Sequence, residues 1–235
     1  MRGVCRLLLA ASMALTLWGC GGGGNSPTTP STPPVTTPPP TPNPPANRNP
    51  VVNSLNVSPA FGIAGLTSFA MTTSGSDPDG DPVTFEWDFG DGTRGNGTAF
   101  SKTYTSSGVA TVRVTASDGK GGTATDSRTA TVGSMTGTWV GTLTINAGQA
   151  APATMVLTQS GGVVTGTMVL SGFNGRTDPA QPGRIDASGS FDLRMKVDPF
   201  SDFNLRGTMD ATGRRISGGA FGSGFNGQAF SFDKR

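Results

Sequence analysis

Ala110-Thr111-Val112-Arg113-Val114-Thr115-Ala116 alternates apolar and polar residues without a break. Successive side chains of a strand point to opposite faces, so Val112 and Val114 turn inward while Arg113 and Thr115 turn outward. Similar short segments flank this one, at 51–57, 66–73, 83–89, 98–104, 109–117 and 124–132. Turn residues separate them at intervals of about 8–12 residues, the spacing of a β-sandwich. In Phe85-Glu86-Trp87-Asp88-Phe89 the aromatic residues share one face, which makes Trp87 the natural core anchor. These features place a β-sandwich over residues 50–133.

The pattern continues beyond residue 135 with segments at 137–146, 153–159, 163–170, 184–190, 191–197, 203–210, 215–221 and 225–232. Their connections are short and glycine-rich, as in Ser160-Gly161-Gly162 and Ala211-Thr212-Gly213. Hairpins in sequence order make an up-and-down antiparallel meander, and closure into a small barrel removes its exposed edges. Residues 135–235 are therefore expected to form a β-barrel, giving an all-β chain. Inward candidates run from Trp139 and Leu143 through Met155, Leu157, Met168, Leu170, Leu193, Met195, Phe203, Leu205 and Met209 to Phe221 and Phe230. Two readings of that interior stay open: a solid core, or a cavity holding one small ligand. Gly-Phe-Asn-Gly occurs at 172–175 and again at 224–227, and both copies read as hairpin bends or, as a lesser alternative, as a matched ligand contact.

Composition narrows the chemistry. Of 235 residues, 36 are glycine and none is histidine. A Ser-His-Asp or Cys-His arrangement is thus excluded, as are histidine–cysteine zinc sites, and no enzyme is expected. The chain has 17 basic and 15 acidic residues, two of the former being Arg2 and Arg6 at the extreme N-terminus. The remainder is electrically balanced, with no basic cluster of the kind that tracks nucleic acid.

Arg2 and Arg6 precede an uncharged apolar run, Leu7 to Trp18, which is too short to span a bilayer and has the length of a signal-peptide core. It ends in Leu17-Trp18-Gly19-Cys20, which resembles the lipobox of bacterial lipoproteins, with Trp18 standing where a small residue is usual. The resemblance implies a signal peptide over residues 1–19 and a lipidated Cys20. It further implies diacylglycerol and an amide-linked fatty acid such as palmitate, a membrane anchor, and a place in the bacterial cell envelope at the outer membrane or cell surface. Cys5 leaves with the signal, so no internal disulfide can form. Residues 20–49 are rich in glycine, proline and threonine and carry Arg48 alone as a charge. Such a segment cannot bury a core and is expected to be a disordered, extended tether.

Ser76-Asp77-Pro78-Asp79-Gly80-Asp81-Pro82, then Trp87-Asp88-Phe89-Gly90-Asp91-Gly92, then Tyr104 and Asp118-Gly119, follow one another in an order that resembles the polycystic kidney disease (PKD) domain. The resemblance implies an Ig-like sandwich serving as an extracellular spacer or as a protein or carbohydrate contact module. Lys102 stands where the family usually has a histidine. Trp87, Asp88, Gly90, Asp91, Gly92 and Tyr104 are its structural motif residues. Gly90 and Gly92 allow positive φ in tight turns, and the aspartates accept hydrogen bonds from turn amides. Asp77, Asp79 and Asp81 have two readings: an Asx-rich turn, or a calcium site of carboxylate oxygens. Gly137-Thr138-Trp139 weakly resembles the first strand of lipocalin- and avidin-like barrels. There a tryptophan plugs one end beneath a basic residue of the last strand, a role that Arg235 or Lys234 would take here. The expected function is a non-catalytic cell-surface lipoprotein for adhesion or for protein or glycan contact. The alternative is a ligand-binding lipoprotein with a small apolar molecule or glycan in its barrel.

Overall fold

The computed structural model describes residues 43–145, 148–197 and 202–235. The tether residues before 43 and Cys20 lie outside the described residues. Pro45–Arg235 makes one unit.

Eight strands build the first half: β1 (Val51–Ser58), β2 (Phe61–Ile63), β3 (Ser68–Ser76), β4 (Thr84–Asp88), β5 (Arg94–Asn96), β6 (Ala99–Thr103), β7 (Gly108–Ser117) and β8 (Thr123–Gly133). They form two sheets, β1-β3-β6 and β2-β8-β7-β4-β5. Strand β7 carries the alternation that opened the reading: Val112 and Val114 are fully buried, and Arg113 is paired in register with Asp88 on the outer side. Between the sheets lie Leu55, Phe69, Met71, Trp87, Phe89 and Tyr104. Sequence reading omits β2 and β5, each three residues long. Neither is long enough to show a period of two.

Nine strands build the second half: β9 (Gly137–Thr144), β10 (Ala150–Ser160), β11 (Val163–Leu170), β12 (Phe173–Thr177), β13 (Gly183–Ile185), β14 (Ser190–Val197), β15 (Phe203–Met209), β16 (Arg215–Gly222) and β17 (Phe225–Lys234). Each pairs antiparallel with its neighbours, and β17 returns to pair with β9, closing an up-and-down barrel. The fourth place in the ring is split. β12 pairs with β11 and β14 toward one end, and β13 pairs with the same two strands toward the other. The single strand expected over 184–190 is thus corrected. It stops at Ile185, because Asp186 turns the chain by accepting from the Ser188 and Ser190 amides.

The barrel interior is filled by Trp139, Leu143, Met155, Leu157, Met168, Leu193 and their neighbours. Phe221 is corrected to the outer face, where it is 40% exposed. Alternation from the buried Ile216 and Ala220 turns it outward, and Arg206 lies over its ring at 5.8 Å.

The barrel also consists of two like halves. A single spacing of 52, the distance from Ser171 to Ser223, lays β9 on β14, β10 on β15, β11 on β16 and β12 on β17. Gly137-Thr138-Trp139 falls on Gly189-Ser190-Phe191, Gly161 on Gly213, Gly166 on Gly218, and Ser171–Gly175 on Ser223–Gly227. Buried Val164 falls on buried Ile216.

Candidate functional site

Three places concentrate chemistry: the two ends of the sandwich, and the barrel. The first is the Asp77–Asp81 turn. Asp77 Oδ1 accepts from the Asp79 amide at 2.8 Å and the Asp81 amide at 3.3 Å, an Asx turn helped by Gly80 at φ 81. Incoming chain clamps this end. The Arg48 amide and Nε both donate to Asp79 at 2.8 Å, and Asn47 Nδ2 donates to Asp118 at 2.7 Å. The Arg48 amide bond and then its guanidinium hold the Asp79 carboxyl below the usual range.

Carboxylate oxygens of Asp77, Asp79 and Asp81 lie within 4.8 Å of one another. Asp77 Oδ2 and Asp81 Oδ2 are buried and accept no hydrogen bond. Two such oxygens fit a hard cation. Asp79 is engaged by Arg48, and Lys120 Nζ sits 2.6 Å from the other oxygen of Asp81. A calcium ion here would therefore be held by Asp77 and Asp81. Were calcium held there with the affinity of extracellular modules, 1 mM would stabilise the protein by about 1 kcal/mol. The melting temperature should rise with calcium in the parent and not in Asp77→Asn. An unchanged parent would identify a self-contained turn.

The second place is the Trp87–Tyr104 motif. Trp87 is fully buried and donates to the Gly97 carbonyl at 2.8 Å. Its ring stacks on Phe89 at 6.1 Å and meets Phe100 edge-on at 5.8 Å. Asp88 accepts from the Gly90 amide, and Asp91 accepts from the Thr93 amide and hydroxyl. Gly90 and Gly92 adopt φ of 76 and 86. Tyr104 donates its hydroxyl to the Phe89 carbonyl at 2.8 Å. Burial, then the Asp91 charge, pushes that phenol up to about 12.

Lys102 is built into the Asp91 turn. Its Nζ lies 2.7 Å from Asp91 Oδ2, donates to Thr93 Oγ1 at 2.6 Å, and sits over the Phe89 ring at 5.1 Å. Partial burial pushes Asp91 up most strongly, yet the bonds from Lys102 and Thr93 together outweigh it and bring the carboxyl down to about 2. Because the folded value is the lower one, this contribution is complete above the ordinary carboxylate range and is lost as pH falls from about 4 toward 2. In Lys102→Met, a carboxyl-carbon NMR titration should find Asp91 titrating at higher pH than in the parent, with a correspondingly weaker acid sensitivity of folding.

The third place is the barrel. At its lower end Trp139, fully buried, donates to the Met135 carbonyl at 2.8 Å. The cation over its ring is Lys234, at 5.4 Å, and Lys234 also donates to the Ser134 carbonyl at 2.8 Å. Arg235, the residue first named for that role, is corrected: it is exposed and contributes its amide to Thr138. Phe230, Phe232 and Lys234 share the inward face of the last strand, so alternation turns Arg235 outward. Burial, then the charge of Arg214, pulls the Lys234 ammonium below its usual value.

The same end is joined to the sandwich. Ile63, fully buried, belongs to the barrel core, with Phe61 and Leu66 packed beside it. Thr67 donates to the Ala187 carbonyl at 2.8 Å, and Gln159 Nε2 donates to the Ala64 carbonyl at 3.1 Å. None of these junction residues is visible as such in the sequence, since nothing in a three-residue strand marks which body it will enter.

Among the described residues, the opposite end of the barrel is open. A cavity of about 360 Å³ lies there, lined by Ile145, Ala151, Leu170, Ser171, Phe173, Val197, Phe203, Ser223, Gly224 and Phe225. Both Gly-Phe-Asn-Gly copies contribute to it, and the 52-residue self-match was the sequence signal that could have found it.

Comparison with known proteins bears on the first half. The sequence profile described as "PKD domain" matches residues 47–132. The PKD1 domain of Vibrio anguillarum Epp is 37% identical over 37% of this chain and 96% of its own, with a TM-score of 0.31. The PKD domain of an M14-like peptidase from Thermoplasmatales archaeon SCGC AB-540-F20 is 26% identical, covering 37% of this chain and 98% of its own, with a TM-score of 0.34. A structure from work on carbohydrate-binding modules of the β-sandwich superfamily is 13% identical, covering 81% of this chain and 93% of its own, with a TM-score of 0.36. No curated protein matches the chain.

Proposed function

The chain belongs to the PKD domain family through residues 47–132, and from that premise we propose that it is a non-catalytic envelope lipoprotein, anchored at Cys20, whose sandwich is a rigid spacer. The spacer carries the barrel outward, and the outer surface of the unit serves for contact with a protein or a glycan. One observation carries this reading: the end-to-end polarity of the unit. The chain enters at Asn47 and Arg48, clamped to Asp118 and Asp79. Strand β7 then runs ten residues, about 33 Å, from the junction end to the clamped end. Beyond the junction, the plugged end of the barrel faces the sandwich and the open end faces away. Ile63 and Gln159 support a junction that does not flex.

The anchor is tested by Cys20→Ser, which should abolish palmitate labelling and move the protein from the membrane pellet to the soluble fraction; continued membrane retention would sink the anchor. The spacer is tested by unfolding. The parent should melt in one transition, and Ile63→Ala combined with Gln159→Ala should separate sandwich from barrel into two. A parent that already melts in two steps would show that the halves move independently.

A further inference from the structure

The open end of the barrel is built from two copies of one hairpin. The β11–β12 turn is Ser171-Gly172 and the β16–β17 turn is Ser223-Gly224. Counting around the ring, from β9 through β12 and β14 to β17, the two hairpins are four places apart in eight. They stand diametrically across the mouth. The pseudo-two-fold relation between the halves of the barrel thus runs through the cavity, and it sets Phe173 opposite Phe225.

Both turns break a local rule in the same way. A two-residue hairpin of this kind needs positive φ at both central residues, which favours Asn-Gly. Ser171 at φ 47 and Ser223 at φ 52 are the only non-glycine residues with positive φ among the described residues. Such a residue is costly and persists at sites where another requirement holds it. Both serines line the cavity, where a small side chain leaves room that asparagine would fill.

We propose that this mouth is a binding site for one neutral, flat, apolar ring system, gripped between the two Ser-Gly-Phe-Asn-Gly hairpins. Among the described residues the lining is chiefly aliphatic and aromatic, with no charged side chain, which disfavours an ionic ligand. Phe203 and Phe225 lie 5.1 Å apart in a tilted pair, and Phe173 is 48% exposed at the rim. An exposed aromatic beside an apolar hollow is a place where a ring can stack. The volume, about 360 Å³, is more than twice the roughly 150 Å³ that holds a single benzene, so it suits a ligand of about two rings. The site is independent of whether Cys20 is lipidated.

The test uses the purified Cys20→Ser protein, which carries no acyl chain, in detergent-free buffer with N-phenyl-1-naphthylamine, a neutral aromatic fluorophore. Saturable enhancement with one probe per chain is expected. Phe173→Ala and Phe225→Ala should each weaken binding about ten-fold, whereas Phe221→Ala, exposed at the same end but outside the lining, should change it less than two-fold. Phe173 is exposed enough that its variant keeps the fold, which far-UV circular dichroism checks. Amide NMR shifts on adding probe should appear at both 171–175 and 223–227. No saturable binding, a Phe173→Ala variant that binds like the parent, or shifts confined to one hairpin would overturn the proposal. So would a soluble oligosaccharide that shifts both hairpins while the fluorophore does not, since that would assign the mouth to a polar ligand.

Discussion

Trp139→Ala should destabilise residues 45–235 by about 3–5 kcal/mol, the cost of emptying a fully buried aromatic site, and should lower the melting temperature by roughly 10 °C. Three roles end together in this change. The ring fills the lower end of the barrel, its N–H satisfies the Met135 carbonyl, and its face receives the Lys234 ammonium. Phe191 occupies the equivalent place in the other half of the barrel and is 5% exposed. It has no N–H to donate, so Phe191→Ala should cost less. Trp139→Phe separates the terms: it keeps much of the packing and leaves the Met135 carbonyl unpaired, a loss of about 1 kcal/mol. Urea unfolding followed by circular dichroism gives all three numbers. A loss below about 2 kcal/mol for Trp139→Ala would mean that the barrel closes without its plug.

Gly218→Ala is expected to be comparably severe, about 3 kcal/mol or more, although it adds one methyl group. Gly218 pairs with Gly207 across β15 and β16. A Cβ on Gly218 would stand 2.0 Å from the Arg206 carbonyl oxygen and 2.5 Å from the Gly207 Cα. Both are backbone atoms and cannot rotate away, so the strands themselves must separate. Gly166, its counterpart 52 residues earlier, meets the Val156 carbonyl at 2.1 Å in the same way. The neighbouring Gly219→Ala is the control. Its Cβ would approach the Phe221 ring at 3.1 Å, where the exposed side chain can yield, and the Gly227 Cα at 3.4 Å, an ordinary van der Waals contact, so a change under about 1 kcal/mol is expected. Calorimetry of both variants decides; equal, small effects would show that β15 and β16 have slack.

Much of the architecture was legible in the chain itself. The unbroken alternation of 110–116, the aromatic face of 85–89 and the glycine-rich turns named the class and most strands, because a period of two and positive φ are local properties. The Trp87–Gly92 motif and Tyr104 were legible as an ordered set. Strands β2, β5 and β12 were not, being too short or too polar to show a period. The outward position of Phe221 follows from its parity relative to the buried Ile216 and Ala220 and not from its hydrophobicity.

The twin Gly-Phe-Asn-Gly segments mark the boundary between the two kinds of knowledge. The sequence by itself determined that both are hairpin tips, since glycine there permits the turn. It could not determine that they face each other, because that follows from ring closure between β17 and β9, a pairing of residues almost a hundred positions apart. The same holds for Ile63, which sequence order assigns to the sandwich and packing assigns to the barrel core. Burial depends on which surfaces meet, and only tertiary structure decides that meeting.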